Sequence, residues 1–556
     1  MSKKHARLAA QRKQSVLALS ALMVVASTAM AQQAKVDYTG FEGGPLWVSA
    51  AGELPSGAIG GGPGGITSVI NASNGTTARG FKGVSQYDLV NLLGGSFIPP
   101  DTMGAVGATQ FMQTTNGVYA IYNKATGNLQ SMIRGDTFWN NAGGADFKNL
   151  NGDARLMFDK TSQKWIALSF GNSFADIQIA VSNTSDATGG WKATKFTGSP
   201  GGTADYPTLA MDKDAVYIGT NNFNGNNNFA GTTLNVISRS DLLGATPPTA
   251  ANVKQFNTPY TGSASDQDSG YAIQGVNSHD STSGLVIAAS LFSNDNVRYN
   301  IVNPGTAGAT KTATQFLGTQ NYDPTDGARQ PDGTRNIDAF DQRIASSVWE
   351  QNGKIYAVYG ATPVGGTHNE VRWLITDAIT GAIIQEGNIG DPNYDFYQPS
   401  LTINSEGQVV IGYNRSGFGS DGMVTFMAMT FNTDGVTGKL YETGDLVLHV
   451  SNVDDYHNGS VEGLPAVGRQ RWGDYSAVTL DPNDDKNFWA IGEYAAEWNN
   501  PAGGHPTGSG GSRWGTWIAD IDLTNQVVPE PASFSLMFAG LLALSAVLRF
   551  NKAVKG

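Results

Sequence analysis

Apolar and polar residues alternate in short runs along most of this chain, and clusters of Gly, Asn, Asp and Ser separate the runs. Alternation with period two predicts strands, and turn residues between the runs predict hairpins. The same unit then recurs: a polar or aspartate-containing start, an apolar strand, a turn, a second apolar strand. It is readable as PPDTMGAVGATQFMQTTNGVYAIYN from Pro99, NGDARLMFDKTSQKWIALSF from Asn151 and ADYPTLAMDKDAVYIGTNNF from Ala204. It continues as DSGYAIQGVNSHDSTSGLVIAASLF from Asp268 and DAFDQRIASSVWEQNGKIYAVYGA from Asp338. The last two copies are FYQPSLTINSEGQVVIGYNRSG from Phe396 and RWGDYSAVTLDPNDDKNFWAIGEYA from Arg471.

Inside these hairpins stand residues that tolerate tight reversals: Asp212-Lys213-Asp214, Gln351-Asn352-Gly353, Ser405-Glu406-Gly407 and Asp481-Pro482-Asn483. A second strand pair follows each hairpin, such as residues 177–182 with 191–196 and 371–377 with 383–387. Four strands per copy and seven copies predict an all-β, seven-bladed β-propeller over residues 97–527. The degenerate fourth copy leaves six or eight blades open, and a pair of β-sandwiches is the structural alternative. Residues 32–96, with GGGPGG at Gly60 to Gly65, predict a mostly irregular lead-in. Long helical periodicity is confined to the two ends of the chain.

Composition agrees with many turns and few helices: 70 glycines and 15% charged residues. There is no cysteine, so disulfide staples and thiol catalysis are excluded. The net charge of -12 argues against nucleic acid as a partner. No Gly-x-Ser-x-Gly elbow or phosphate loop occurs, and the six histidines show no zinc-type spacing.

Both ends carry targeting patterns. Lys3, Lys4, Arg7, Arg12 and Lys13 precede an apolar run from Ser15 to Ala26, and Ala29-Met30-Ala31 is a small-x-small cleavage site. Residues 1–31 therefore read as a signal peptide, with an uncleaved anchor as the alternative. At the other end, Pro529-Glu530-Pro531 is followed by an apolar helix over 532–548 and then Arg549, Lys552 and Lys555. Residues 528–556 resemble the PEP-CTERM sorting signal of Gram-negative bacteria. The resemblance implies export across the inner membrane, transient anchoring there, processing by an exosortase-type enzyme, and a final place at the cell surface or outside it. Exosortase systems accompany exopolysaccharide production, so the same resemblance implies a link to polysaccharide.

Asp101, Asp153 and Asp205 recur at equivalent places, 52 residues apart each time (153 − 101; 205 − 153), and Asp341 and Asp474 are aligned with them in later copies. In a propeller the first strand of each copy is innermost, so these residues, with Arg343 and Arg471, would converge at the channel mouth. A ring of carboxylates and arginines there suits a sugar, a cation or a peptide terminus; the competing expectation is that each aspartate caps turn amides. If the protein were an enzyme, Asp205, Tyr206, Asp474 and Glu493 would carry the chemistry. DYPTLAMD, YQPSLTINSEGQVVIGYNRS and RWGDYSAVTLDPNDDKNFWAIGEY resemble secreted bacterial propellers that are distantly sialidase-like in architecture. That resemblance implies the fold, but the early Phe-Arg-Ile-Pro motif is missing, and Ser185 to Trp191 only loosely echoes the repeated Asp box.

Asp481, Asn483 and Asp485 have calcium-loop spacing, but Lys486 stands where such a loop needs glycine and Gly492 where it needs glutamate, so a hairpin turn is expected. No cofactor is expected beyond that weak hint of calcium. Trp498, His505, Trp514 and Trp517, with Tyr394, Phe396 and Tyr397, are aromatics that either stack on sugar rings or pack between sheets. The expectation is a non-catalytic, exported propeller that binds or organises exopolysaccharide. The alternatives are a carbohydrate-active hydrolase or lyase and a protein-binding adhesion scaffold.

Overall fold

The computed structural model describes residues 63–147, 152–171, 174–263, 266–434, 437–457, 468–498 and 512–526, together with the strand Leu46–Ser49. The expected signal peptide, the sorting tail with its apolar helix, and His505 lie outside the described residues. No helix among the described residues is long and apolar enough to cross a membrane.

Alternating apolar runs become antiparallel meanders, in which the main strands are hydrogen-bonded in chain order. Sheets one to six span 103–134, 155–197, 203–259, 271–316, 348–389 and 394–450. Sheets four and five touch edgewise through the parallel pairs Val276↔Val348 and Asn277↔Trp349. The seventh combines Ala477–Leu480, Asn487–Trp498 and Ser512–Asp522 with two strands from the other end of the chain, Thr77–Ser85 and Ser68–Asn71. Arg79 pairs there with Asp520, 441 residues away.

Sheet faces pack on one another in sequence order, which explains why central strands such as Val118–Asn123 are buried almost throughout. Tyr119 and Ile121 of sheet one meet Leu156 and Trp165 of sheet two. Ile166 and Leu168 then meet Val216 and Ile218, Tyr217 meets Val286 and Tyr299, and Ile287 meets Ile355 and Leu374. Val358 and Ile375 pack with Ile411 and Met427, and Phe426 with Phe488 and Ala490. Trp489 and Ile491 of sheet seven return to Phe111 and Val106 of sheet one. Among the described residues these interfaces form a closed circuit of propeller type. Outer strands such as Leu129–Arg134 are only half-buried, as an edge facing water should be.

The outer hairpins share one turn chemistry. Asn123, Asp377 and Asp434 each accept from the backbone N–H and the hydroxyl of a threonine three residues on: Thr126, Thr380 and Thr437. The next residue is glycine with positive φ, at Gly127 (69°), Gly381 (75°) and Gly438 (67°). The side chain closes the turn and glycine supplies the left-handed step.

Two expectations need correction. The lead-in is not irregular throughout, because 68–85 supplies two strands to sheet seven; the propeller module therefore begins before residue 97. Short helices also occur in connections, Gln86–Leu93 and Gly135–Gly143. The first is bounded by a capping box between Ser85 and Asp88 and by Gly94 at φ 79°. The turn around 481–486 links Ala477–Leu480 to Asn487–Trp498 as expected. Its carboxylates diverge: Asp481 accepts from Lys124 and the Asn483 N–H, whereas Asp485 accepts from Ser405.

Candidate functional site

One residue at the head of each of the first six sheets holds a left-handed backbone: Asp101 (φ 50°), Asp153 (40°), Tyr206 (50°), Ala272 (50°), Phe340 (65°) and Gln398 (50°). Aspartate tolerates this region, but tyrosine, phenylalanine and alanine adopt it at a cost of about 1 kcal/mol or more, so their surroundings must hold them there. The structural equivalents of Asp101 and Asp153 are thus Tyr206 and Phe340. Asp205 lies one residue before that position and Asp341 one residue after it, which corrects the alignment expected from sequence.

These strand heads meet in a central hub. Asp101 accepts from Asn116 Nδ2 (2.6 Å) and from the Asp474 backbone N–H (2.9 Å). Asn116 Oδ1 accepts from the Asp153 N–H (3.1 Å), and Tyr475 donates its hydroxyl to Asp153 Oδ2 (3.2 Å). Arg155, two residues after Asp153, donates to the carbonyls of Pro207 (2.7 Å) and Ala345 (3.0 Å). Its guanidinium lies 3.7 Å from the Tyr475 ring centroid and 5.4 Å from that of Tyr206. Arg343 forms a bidentate pair with Asp341 (2.7 and 2.6 Å) and covers the Phe340 ring at 3.9 Å. Arg471 sits 3.7 Å from Asp474 and 3.8 Å from Asp338.

The hub therefore gathers Asp101, Asp153, Arg343, Arg471 and Asp474, with Asp205 and Asp341 at its margin. Sequence reasoning missed Arg155 and Tyr475, the residues that tie it together. Their only sequence signal is adjacency to Asp153 and Asp474.

Burial dominates its electrostatics. The carboxyls of Asp101 and Asp153 are both pushed well above the usual carboxylate range, first by desolvation and then by neighbouring carboxylates: Asp153 acting on Asp101, and Asp205 and Asp474 acting on Asp153. Arg471 opposes the shift at Asp101, and Arg155 opposes it at Asp153. Glu493, wholly buried, is raised by desolvation and by Asp101; the Thr102 N–H holds its Oε1 at 3.3 Å, and its Oε2 has no hydrogen-bond partner among the described residues. Burial thus favours the protonated form of all three. They do not converge as a metal set, since among the described residues no three of them bring ligand atoms within 4.8 Å.

Access decides what the hub does. Asp101 is 2% exposed, Tyr206 1% and Glu493 0%. Trp472, Tyr475 and Tyr456 are buried in one apolar cluster with Ile337 and Ala345. Most of the aromatic candidates are packing residues as well. Trp514 is buried and donates to the Phe97 carbonyl (2.9 Å), Trp517 stacks on His449 (3.9 Å between centroids), and Phe396 and Tyr397 are buried.

An open groove of about 410 Å³ lies beside the closed mouth. Asp326, Arg335, Asn336, Asp338, Phe340 and Arg469 line it. Arg469 donates to Asp338 (2.6 Å), yet its side chain remains 46% exposed, and that of Asp326 is 74% exposed. Sequence reasoning singled out neither Asp326 nor Arg469, which belong to insertions between sheets.

No protein-family model matches the chain, and no curated protein matches it. Among solved structures, a periplasmic gluconolactonase from Pseudomonas aeruginosa is 10% identical, covering 73% of this chain and 95% of that one, with a TM-score of 0.37. An apocarotenoid oxygenase variant from Synechocystis is 10% identical over 74% of this chain and 95% of its own (TM-score 0.38). A putative 6-phosphogluconolactonase from Bacteroides uniformis is also 10% identical, over 70% and 96% (TM-score 0.34). Likeness at this level identifies neither a family nor an activity.

Proposed function

We propose that this chain is an exported, seven-bladed propeller that binds extracellular polysaccharide without turning it over. Each of the seven meanders is read as one blade, with the last closed by the N-terminal strands. The observation that carries the binding reading is the contrast between a sealed hub and an open polar groove. Hydroxyl-rich chains are recognised by planar carboxylate, amide and guanidinium groups, often with an aromatic ring, and the groove offers all four. The terminal patterns add the route: a cleavable leader, the Pro529-Glu530-Pro531 address with Arg549, and an exosortase-type enzyme as processing partner. Hydrolysis at Asp205, Tyr206, Asp474 and Glu493 has less support, because Tyr206, Asp474 and Glu493 are buried.

The test is retention of the mature chain on the producing organism's own polysaccharide by affinity electrophoresis. Arg469→Ala and Asp326→Ala should weaken retention while leaving the thermal transition in place. Absence of retention by the parent chain, together with an unaltered matrix in a deletion strain, would sink the proposal. Glycan turnover abolished by Asp474→Asn would favour the enzyme instead, and capture of a protein without glycan would favour the adhesion scaffold.

A further inference from the structure

Histidine spacing along the chain suggests no metal site, but folding brings one histidine and the carboxylate two residues before it against a distant carboxylate. His457 Nε2 lies 3.0 Å from Asp332 Oδ2, and the Asp332 N–H donates to Asp455 Oδ1 at 2.9 Å. One ligand atom from each of the three lies within 4.8 Å of the others, and this is the one such group among the described residues. Asp332 stands on the turn between Ala328–Arg329 and Arg335–Ile337, whereas Asp455 and His457 follow sheet six.

The three side chains are held in place from outside the group. Thr334 donates its N–H (2.8 Å) and hydroxyl (2.7 Å) to Asp332 Oδ1, which turns Oδ2 toward the imidazole. His457 is fixed at both backbone atoms by Ser512: its N–H donates to the Ser512 hydroxyl, and its carbonyl accepts the Ser512 N–H. Gln330 clamps the two segments together, donating to the Tyr456 carbonyl (2.9 Å) and accepting the Tyr456 N–H (2.5 Å). The Asp332 and His457 side chains are only 15% and 3% exposed, although the Asp332 turn itself faces solvent. A nitrogen donor and two carboxylates are thus held together, with Asp455 and His457 buried.

We propose that Asp332, Asp455 and His457 bind one divalent transition ion, zinc foremost. One imidazole with two carboxylates is a borderline donor set of the kind zinc accepts; calcium takes oxygen ligands. The ion would fasten the insertion after sheet four to the segment after sheet six, beside the groove. This inference does not rest on the polysaccharide reading.

The experiment uses the untagged mature chain, stripped with a chelator and titrated with zinc chloride against a competing chromophoric chelator, with the thermal transition recorded in parallel. Expected are one zinc ion per chain and a rise in the transition temperature. His457→Gln and Asp455→Asn should each weaken zinc binding by at least about tenfold while remaining folded by circular dichroism. Asp481→Asn, on a turn held by Lys124, should bind as the parent does. No zinc uptake by the folded parent, uptake of calcium in preference to zinc, or unchanged affinity in both folded variants would each overturn the proposal. Should one variant fail to fold, Asp332→Asn takes its place under the same criterion.

Discussion

Two regions of this molecule concentrate charge, and they do so in opposite ways. The hub buries Asp101, Asp153, Asp474 and Glu493, with Arg155 beside Asp153 and Arg471 beside Asp101 and Asp474. The junction of Asp332, Asp455 and His457 is smaller, lies at the surface between two insertions, and has one side toward solvent. The hub's hydrogen bonds join residues of the first, second, third and seventh sheets and the insertion before the fifth, so it acts as a keystone. The junction adds side-chain contact between two segments that Gln330 already clasps. Repetition built the first, and insertion built the second.

The largest effect is expected from Arg155→Ala. It removes the bonds to the buried Pro207 and Ala345 carbonyls, so stability should fall by about 2–4 kcal/mol in equilibrium denaturation.

A smaller effect is expected from pH alone. Asp101, Asp153 and Glu493 have folded-state pKa values above their unfolded ones, so the folded state holds extra protons and loses stability as pH rises. His279 and His449, whose pKa values burial pushes down to about 4, slope the other way, but only below about pH 6.5. Between about pH 6.5 and 8 the carboxyls act unopposed by these histidines. Stability should drop there by about 1 kcal/mol or more, and Asp153→Asn should flatten the slope in denaturation curves taken across that range.

At the junction, His457→Gln in metal-free protein should cost only about 1 kcal/mol, the loss of one hydrogen bond to a carboxylate. The smallest effect belongs to the outer turns. Thr380→Val forfeits the hydroxyl bond to Asp377 on an exposed hairpin and should shift stability by about 0.5 kcal/mol, resolvable in a thermal scan.

The strands were legible because burial on sheet faces writes period-two alternation directly into the chain, as at QFMQTTNGVYAIYN. The aspartate at the head of each early copy was legible as well. Its register was not, because ADYP and AFDQ place an aspartate beside the left-handed position that Tyr206 and Phe340 occupy. The closing strand hid for a different reason. Gly80 and Gly83 break up TARGFKGVS, yet Gly80 is where the Trp517 ring lies against the backbone, leaving no room for a side chain. The shared turn chemistry, an Asn or Asp three residues before Thr-Gly, was written in the chain but is short enough to be lost among 70 glycines. His457 and Asp332 were beyond reach, since 125 residues separate them and only the stacking of two insertions brings them together.

The strand exchange in sheet seven has a mechanical consequence. The chain reaches that sheet beside Lys82, where the Gly64 N–H meets the Lys82 carbonyl, and leaves it at Asp522, which is paired with Thr77. Arrival and departure lie at opposite ends of the same ladder. Tension between the two ends therefore runs along the strands and loads the rungs together, whereas arrival and departure at the same end would peel them one at a time. Under such tension residues 64–85 would be the clasp of a sheared joint.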